Sequence, residues 1–396
     1  MLDPELASDV ESIVDRVRSL WRVARDRVAF DRIEVFAKTS MRLRVTRGVA
    51  GMGVTIDRAS ESGVAVRVSR AGDDHAGFAA ASGLSPEVVR WAVDMASTFD
   101  AQAPSAAPRP SDTIVSDRRD LDPHVGLPSE EVLSRGVKSR PKLEWIEVGT
   151  TVEVLIGAEE WTTARRRHRF WALGADPYSR LVAQRGFAGW EALVDESGID
   201  ESAPASASTD LGVITLTRNA AGPIVAALVE AFHGPASVPP MDCGGGWDVS
   251  DEPVRPDGLV GGTFDDAGFP SISRPLAAKR LWLGKLSGPG TFHRSSFREP
   301  PRESATNLCI PSGTAESRPT RAALARRCRV LQLSQDLWVL ELDLVSHPNR
   351  GEAERRWIRV QPQALVAACT SRVGCAKVTP GGPIVPGLSF EGLVTE

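Results

Sequence analysis

The sequence has few cysteines, a small net charge and no long apolar run, and each shortage excludes a class of protein. Its five cysteines are scattered and form no Cys-x-x-Cys pair, which argues against a disulfide framework and favours a reducing compartment. A net charge of −4 gives no basic excess for binding nucleic acid or a membrane surface. No uncharged apolar run of about 18 residues is present, as a membrane-spanning helix would require. We therefore expect a cytoplasmic protein with no nucleic-acid partner and no membrane partner.

The sequence also lacks the motifs of several common catalytic sites. It contains neither the His-Glu-x-x-His nor the His-Glu-x-x-x-His spacing of zinc hydrolases, and neither Gly-x-Ser-x-Gly nor a P-loop. The nearest metal candidate is the pair Glu230 and His233, one helical turn apart, with Cys243 or Asp242 as a further donor. Residues 73–75 (Asp-Asp-His) are a second polar cluster, but such clusters usually form solvated turns. These residues alone predict no competent active site.

Composition and length predict a globular chain of two domains. Hydrophobic residues make up 42% of the sequence and charged residues 25%, as in ordinary globular proteins. The 396 residues are too many for one simple core and fit two domains of roughly 150–200 residues. We place the first domain at 1–205, with a Pro/Ala/Ser linker at 101–112, and the second at 206–396. The boundary lies in a second linker, 197–209.

The spacing of apolar residues predicts a mixed secondary structure. Spacings of three and four predict an amphipathic helix over 5–28, whereas alternation between 32 and 70 predicts three or four antiparallel strands. Ser85 as N-cap and Pro86 at the first helical position predict a second helix. We expect an α+β fold: an N-terminal α/β domain with an antiparallel or mixed sheet, and a strand-rich C-terminal domain. Further predicted elements are a helix after Ser129, strands at 145–156, 161–172, 179–187 and 211–217, and helices at 220–233 and 362–372.

A run of basic residues, Arg165–Arg169, lies in the predicted strand 161–172. Such a run can bind phosphate or nucleic acid. On a strand, however, successive side chains alternate between two faces, and the chain has no general basic excess. We therefore favour a solvated strand face here.

Four segments occur in an order that resembles a known family. They are 63–97 (beginning GVAVRVSRAGDDHAGF), 262–292 (beginning GTFDDAGFPSISRPL), 301–313 (PRESATNLCIPSG) and 380–392 (PGGPIVPGLSFEG). With them the chain resembles the TldD/TldE (PmbA) family in both halves, although its middle diverges. The resemblance implies an N-terminal α/β half, a C-terminal half on a curved, barrel-like sheet, and heterodimers. In these, a TldD-type subunit carries a His-Glu-x-x-x-His zinc site and cuts peptides inside a chamber, which a TldE-type subunit without the motif completes.

The predicted helix 220–233 stands where the resemblance places the zinc helix. Val229 takes the position of the first zinc histidine, and Gly234 takes that of the second. Glu230 remains, whereas His233 falls one position early. These four degenerate positions imply no catalytic residue and no metal ligand in this chain. The resemblance places the zinc ion in the partner subunit.

The resemblance therefore predicts a non-catalytic, TldE-like subunit that partners a TldD-like metallopeptidase subunit. It would help to hold unfolded or precursor peptides, with natural-product biosynthesis as one setting, and a peptide would add as a strand to an exposed sheet edge. Two alternatives remain open. One is a homodimeric module that binds a peptide or peptide-like intermediate. The other is an independent hydrolase with a rearranged site at Glu230, His233 and Cys243 or Asp242.

Overall fold

The fold belongs to the α+β class, as predicted, and contains two large β-sheets. A computed structural model describes residues 10–27, 32–48, 53–69, 76–98, 117–122, 127–157, 160–174, 181–192, 212–233, 241–242, 247–278, 281–283, 286, 288, 290–294, 296–313, 323–334, 336–347, 352–379 and 383–393. No helix in these ranges is long and apolar enough to cross a membrane. The first sheet uses strands up to residue 185, and the second uses strands from residue 213.

The first sheet is built around a long antiparallel hairpin. Its order is β3-β2-β1-β5-β6-β4, with β7 also paired to β6, and only the β4–β6 pairing is parallel. The alternation seen between residues 32 and 70 corresponds to β1 and β2, which pair along their whole length. The strands are β1 (Arg32–Arg47), β2 (Val54–Ser69), β3 (Gly77–Ser82), β4 (Asp117–Leu121), β5 (Leu143–Ile156), β6 (Thr162–Gly174) and β7 (Leu181–Arg185).

Among the residues that the structure describes, three helices cover one face of this sheet. They are α1 (Val10–Arg25), α2 (Pro86–Thr98) and α3 (Glu130–Ser139). The apolar stripe of α1 packs with α2 on β1 and β2, and α3 packs farther along the same face. Ser129 caps α3 as predicted, because its Oγ accepts the N–H of Val132 at 3.3 Å. The C-terminal half packs against the opposite face of the sheet.

The second sheet carries the C-terminal half and does not close into a barrel within the described residues. Its order is β18-β17-β16-β8-β20-β15-β10-β11-β12-β9, with β19 paired to β20. The strands are β8 (Val213–Leu216), β9 (Met241–Asp242), β10 (Val249–Asp251), β11 (Arg274–Ala278), β12 (Leu281–Trp282), β15 (Leu308–Cys309), β16 (Ala323–Gln332), β17 (Trp338–His347), β18 (Glu352–Val360), β19 (Cys369–Val378) and β20 (Ile384–Glu391); β13 (Phe292–His293) and β14 (Arg302–Glu303) pair separately.

In the described part of this half there are two helices. Helix α4 (Arg218–His233) packs on β16 and β20, and it includes the predicted helix 220–233. Helix α5 (Pro362–Ala368) is shorter than the predicted 362–372, because Cys369 already begins a strand paired with β20. The predicted linkers 101–112 and 197–209 lie outside the described residues, as do residues 73–75 and Cys243.

Candidate functional site

The arginine run on β6 is buried, so the expectation of a solvated strand face is wrong. Arg165 and Arg166 are each 7% exposed, and Arg167 is 3% exposed. The side chains do alternate between two faces, as predicted. The reason for the error is that the C-terminal half covers the face that carries Arg165, Arg167 and Arg169.

Alternate arginines of β6 each donate to a backbone carbonyl of the segment 259–264. These contacts hold the main chain of that segment and do not depend on which side chains it carries. The donors and acceptors are Arg169 Nε to the Leu259 carbonyl (3.1 Å), Arg167 Nη2 to the Gly261 carbonyl (3.0 Å) and Arg165 Nη2 to the Phe264 carbonyl (2.6 Å).

Carboxylates from both halves balance this positive charge. Arg165 Nη1 lies 3.1 Å from Asp266 Oδ1 and 3.3 Å from Glu153 Oε2. Arg167 Nη2 lies 2.5 Å from Asp120 Oδ2. Burial raises the pKa of Asp120, but Arg167 and a backbone N–H outweigh it, so this pKa lies below its ordinary value. Burial and repulsion from Arg165 lower the pKa of Arg167 to about 10, which still leaves it cationic at neutral pH.

The same segment is fixed from its other side by Asn307, in the motif 301–313. The Asn307 Nδ2 donates to the Val260 carbonyl at 2.6 Å, and its Oδ1 accepts the Val260 N–H at 3.1 Å. Next to it, the N–H and the hydroxyl of Thr306 both donate to Asp251 Oδ1, at 2.9 and 2.8 Å. Burial raises the pKa of Asp251 to about 6. The motif 301–313 therefore has a structural role: it helps to order the segment 259–264, which contacts the first sheet.

The motif 262–292 is organised by one buried carboxylate. Asp265 Oδ1 accepts the N–H groups of Ala267 and Phe269, both at 2.9 Å. Its Oδ2 accepts those of Gly290 at 2.8 Å and Phe292 at 3.2 Å. Four backbone donors on one carboxylate tie two turns of this segment together. Burial nevertheless raises the pKa of Asp265 to about 6.

A second carboxylate, Asp122, fills a break in the edge of the first sheet. Strands β4 and β7 cover successive parts of β6 and leave His168 between them. Asp122 Oδ2 accepts the His168 backbone N–H at 2.7 Å, and its Oδ1 accepts Arg185 Nε–H at 2.6 Å. On the neighbouring strand, the Thr150 hydroxyl lies 2.8 Å from His168 Nδ1. Asp122 thus joins three strands and fixes the Arg185 guanidinium.

A cavity of about 430 Å³ opens at this break, between the two halves. We call it the junction cavity, and it is our candidate functional site. Its volume lies in the range of about 300–1,000 Å³ that is typical of small-ligand sites. Its lining combines charged side chains with an apolar wall and short backbone turns. The lining residues are Asp120, Leu121, Asp122, His168, Arg185, Gly186, Phe187, Ala188, Val254, Pro256, Gly262 and Thr263.

Of the positions singled out in the sequence, Val229 and Glu230 are described, and neither lines this cavity. Val229 is 4% exposed and belongs to the apolar core of the C-terminal half. Glu230 is exposed on α4. His233 ends α4, but its side chain lies outside the described residues, as does all of Gly234.

The residues at the zinc-helix position do not fit a zinc site of the kind that the resemblance implies. The buried Val229 side chain offers no ligand atom where a histidine is needed. In the part of the chain that the structure describes, no three His, Cys, Asp or Glu side chains lie close enough together to hold a metal ion.

Three of the residues that form the contact between the two halves were not predicted from the sequence. Asp120, Asp122 and Arg185 belong to a short strand and a strand end that carry no motif. The one available signal was the density of charged residues along 117–122 and 165–169, because a strand that is buried on both faces must pair such charges.

Known proteins match this chain in fold but not in sequence. No family model and no curated protein matches the sequence. The fold is that of the TldD/TldE-like proteins, as the motifs predicted.

Three solved structures share this fold over nearly the whole chain. One is TldE from Thermococcus kodakarensis, with 14% identity and a TM-score of 0.70, covering 96% of this chain and 99% of that one. Another, from Bacteroides thetaiotaomicron, is provisionally described as a modulator of DNA gyrase; it has 10% identity, a TM-score of 0.67, and coverage of 96% and 98%. A protein of the same description from Thermotoga maritima has 13% identity, a TM-score of 0.63, and coverage of 97% and 100%.

Proposed function

We propose that this chain is the non-catalytic, TldE-like subunit of a cytoplasmic TldD/TldE-type zinc peptidase. A TldD-like partner supplies the zinc ion and its ligands, and this chain completes the chamber that holds unfolded or precursor peptides. The observation that carries the proposal is the α4 helix. The sequence resemblance assigns this helix to the zinc-helix position, the fold matches TldE over 96% of the chain, and Val229 is buried where the resemblance would place a zinc ligand.

Peptide capture by strand addition is part of this proposal. Strand β18 ends the order of the second sheet and pairs with β17 alone among the described residues. Its nine residues offer a longer edge than β9, at the other end. An added strand forms main-chain hydrogen bonds, so we expect recognition to depend more on peptide length than on peptide sequence.

Native mass spectrometry tests the proposal, because it reports stoichiometry and bound metal together. The chain is purified alone and after co-expression with a TldD-like partner. We expect a metal-free lone chain, and a 1:1 complex that gains about one zinc ion per partner subunit.

Two results would overturn the proposal. Stoichiometric zinc in the lone chain, lost in a His233→Ala variant, would indicate an independent hydrolase with a rearranged site. A metal-free homodimer that does not bind the partner would indicate a separate binding module. As a matched control, His233→Ala should leave the peptidase activity of the 1:1 complex unchanged.

A further inference from the structure

The junction cavity contains a hydrogen-bond acceptor that the fold itself does not use. Asp120 Oδ2 accepts the N–H of Thr263 at 2.6 Å and pairs with Arg167. Among the described residues, no group donates a hydrogen bond to Asp120 Oδ1, and Arg185 Nη2 lies 3.8 Å from it. The Asp120 side chain is only 12% exposed. Because Asp120 lines the cavity, this oxygen can accept a hydrogen bond from a ligand.

A rigid donor lies beside that acceptor. The Arg185 guanidinium is held by Asp122, with Nε and Nη2 both 2.6 Å from Asp122 Oδ1. A guanidinium has five N–H donors in a fixed plane, and the contacts with Asp122 use only part of them. Arg185 therefore has N–H groups left for a ligand, in an orientation that Asp122 fixes.

The charges and the wall of the cavity limit the chemistry of the ligand. The two carboxylates, Asp120 and Asp122, are balanced by Arg167 and Arg185, so a charged ligand would unbalance the site. Leu121, Phe187, Val254 and Pro256 provide an apolar wall. The site is therefore suited to a neutral ligand with an apolar part.

An acceptor and a donor only 3.8 Å apart select a group that presents both on the same edge. A trans peptide bond presents its N–H and C=O on opposite edges. A primary carboxamide presents an N–H and its C=O on the same edge. We propose that the junction cavity binds a primary carboxamide, from a C-terminal amide or from an Asn or Gln side chain, through Asp120 Oδ1 and the Arg185 guanidinium. The proposal does not depend on the subunit role, because every residue involved belongs to this chain.

Matched ligands test the proposal by calorimetry on the lone chain. The probe is N-acetyl-phenylalanine amide, and the control is its N-methylamide, whose remaining N–H lies opposite the C=O. We expect saturable binding of the amide, weakened about tenfold or more in the N-methylamide because one acceptor then stays unpaired. N-acetyl-glutamine N-methylamide carries its carboxamide on the side chain; whichever carboxamide binds more tightly identifies the source.

Matched variants locate the binding in the cavity. Ala188 is exposed at the cavity lining, so Ala188→Trp should block the cavity without disturbing the core, and should abolish binding. Ala59→Trp, at an exposed position of β2, should leave the affinity unchanged. Equal affinity for the amide and the N-methylamide, no saturable binding of either carboxamide probe, or full affinity in Ala188→Trp would each overturn the proposal. These experiments need no partner, so their failure is separate from failure of the subunit proposal.

Discussion

At the scale of single residues, buried carboxylates organise the loops of this protein. Asp122, Asp251 and Asp265 all accept main-chain N–H groups, and each joins segments that are separate in sequence. Their costs differ. The two in the C-terminal half have pKa values raised to about 6 by burial, so part of their favourable bonding is offset at neutral pH.

Asp251 provides a pH-dependent test of this cost. Its pKa rises from 3.8 to about 6 on folding, so its contribution to stability is fully present below pH 4 and is lost as the pH rises through 6. Asp251→Asn removes the charge while its amide oxygen can still accept both bonds from Thr306. Between pH 4.5 and 7, the free energy of unfolding of the variant should therefore rise relative to the wild type by about 2 kcal/mol.

Urea denaturation at several pH values measures this difference. The control is Ser60→Ala, at an exposed position of β2 that carries no titratable group; its difference from the wild type should stay constant over the same range. A constant difference for Asp251→Asn would contradict the assignment of the raised pKa.

At the scale of elements, helix α4 has one exposed side and one side buried in the core of the C-terminal half. Pro223, Ala226 and Glu230 are exposed along one side. The other side packs Val225 and Val229 into the apolar core with 0% and 4% exposure. Val229, which the resemblance aligns with the first zinc histidine, therefore serves packing in this chain.

The Val229→His variant tests that role. A polar ring at this position loses apolar burial and has no prepared hydrogen-bond partner, so we expect the free energy of unfolding to fall by about 2–4 kcal/mol. Chemical denaturation measures it. Ala226→His on the exposed side should change stability by no more than about 0.5 kcal/mol. A stable Val229→His variant would mean that this position is not part of the core.

At the scale of the whole molecule, close packing as well as charge joins the two halves. Phe297, from the C-terminal half, is fully buried against β2 of the first sheet. A Cβ atom added at Gly63 would lie 2.1 Å from Phe297 Cε2. The absence of a side chain at Gly63 therefore leaves the space for this aromatic ring.

A double-mutant cycle tests this contact. Gly63→Ala should lower the free energy of unfolding by about 1–3 kcal/mol through overpacking. Phe297→Leu should relieve part of that loss, so the double variant should be at least about 0.5 kcal/mol more stable than the sum of the single effects. Combining Gly63→Ala with Phe170→Leu, in the separate cluster beneath α3, should give additive effects. Additivity for Gly63 and Phe297 as well would show that the two residues are not in contact.

The sequence predicts the parts of this molecule that depend on local spacing. The period of apolar residues located α1 and the β1–β2 pair, and Ser129 located the start of α3. The strand alternation also assigned Arg165 and Arg167 to one face. It did not reveal what covers that face, because their partners lie about one hundred residues away: Arg165 reaches Phe264 over 99 positions and Arg167 reaches Gly261 over 94. Long-range contacts of this kind leave no periodic signal, and for the same reason the junction cavity was not predicted.

The arginines of β6 have a consequence for how the sequence can change over time. They bind carbonyl oxygens of the segment 259–264, and every amino acid has such an oxygen. Most side chains in that segment can therefore be replaced without loss of these hydrogen bonds, whereas an arginine cannot be exchanged for lysine without losing its planar set of donors. Substitutions should therefore be tolerated in the segment 259–264 and restricted at the arginines of β6.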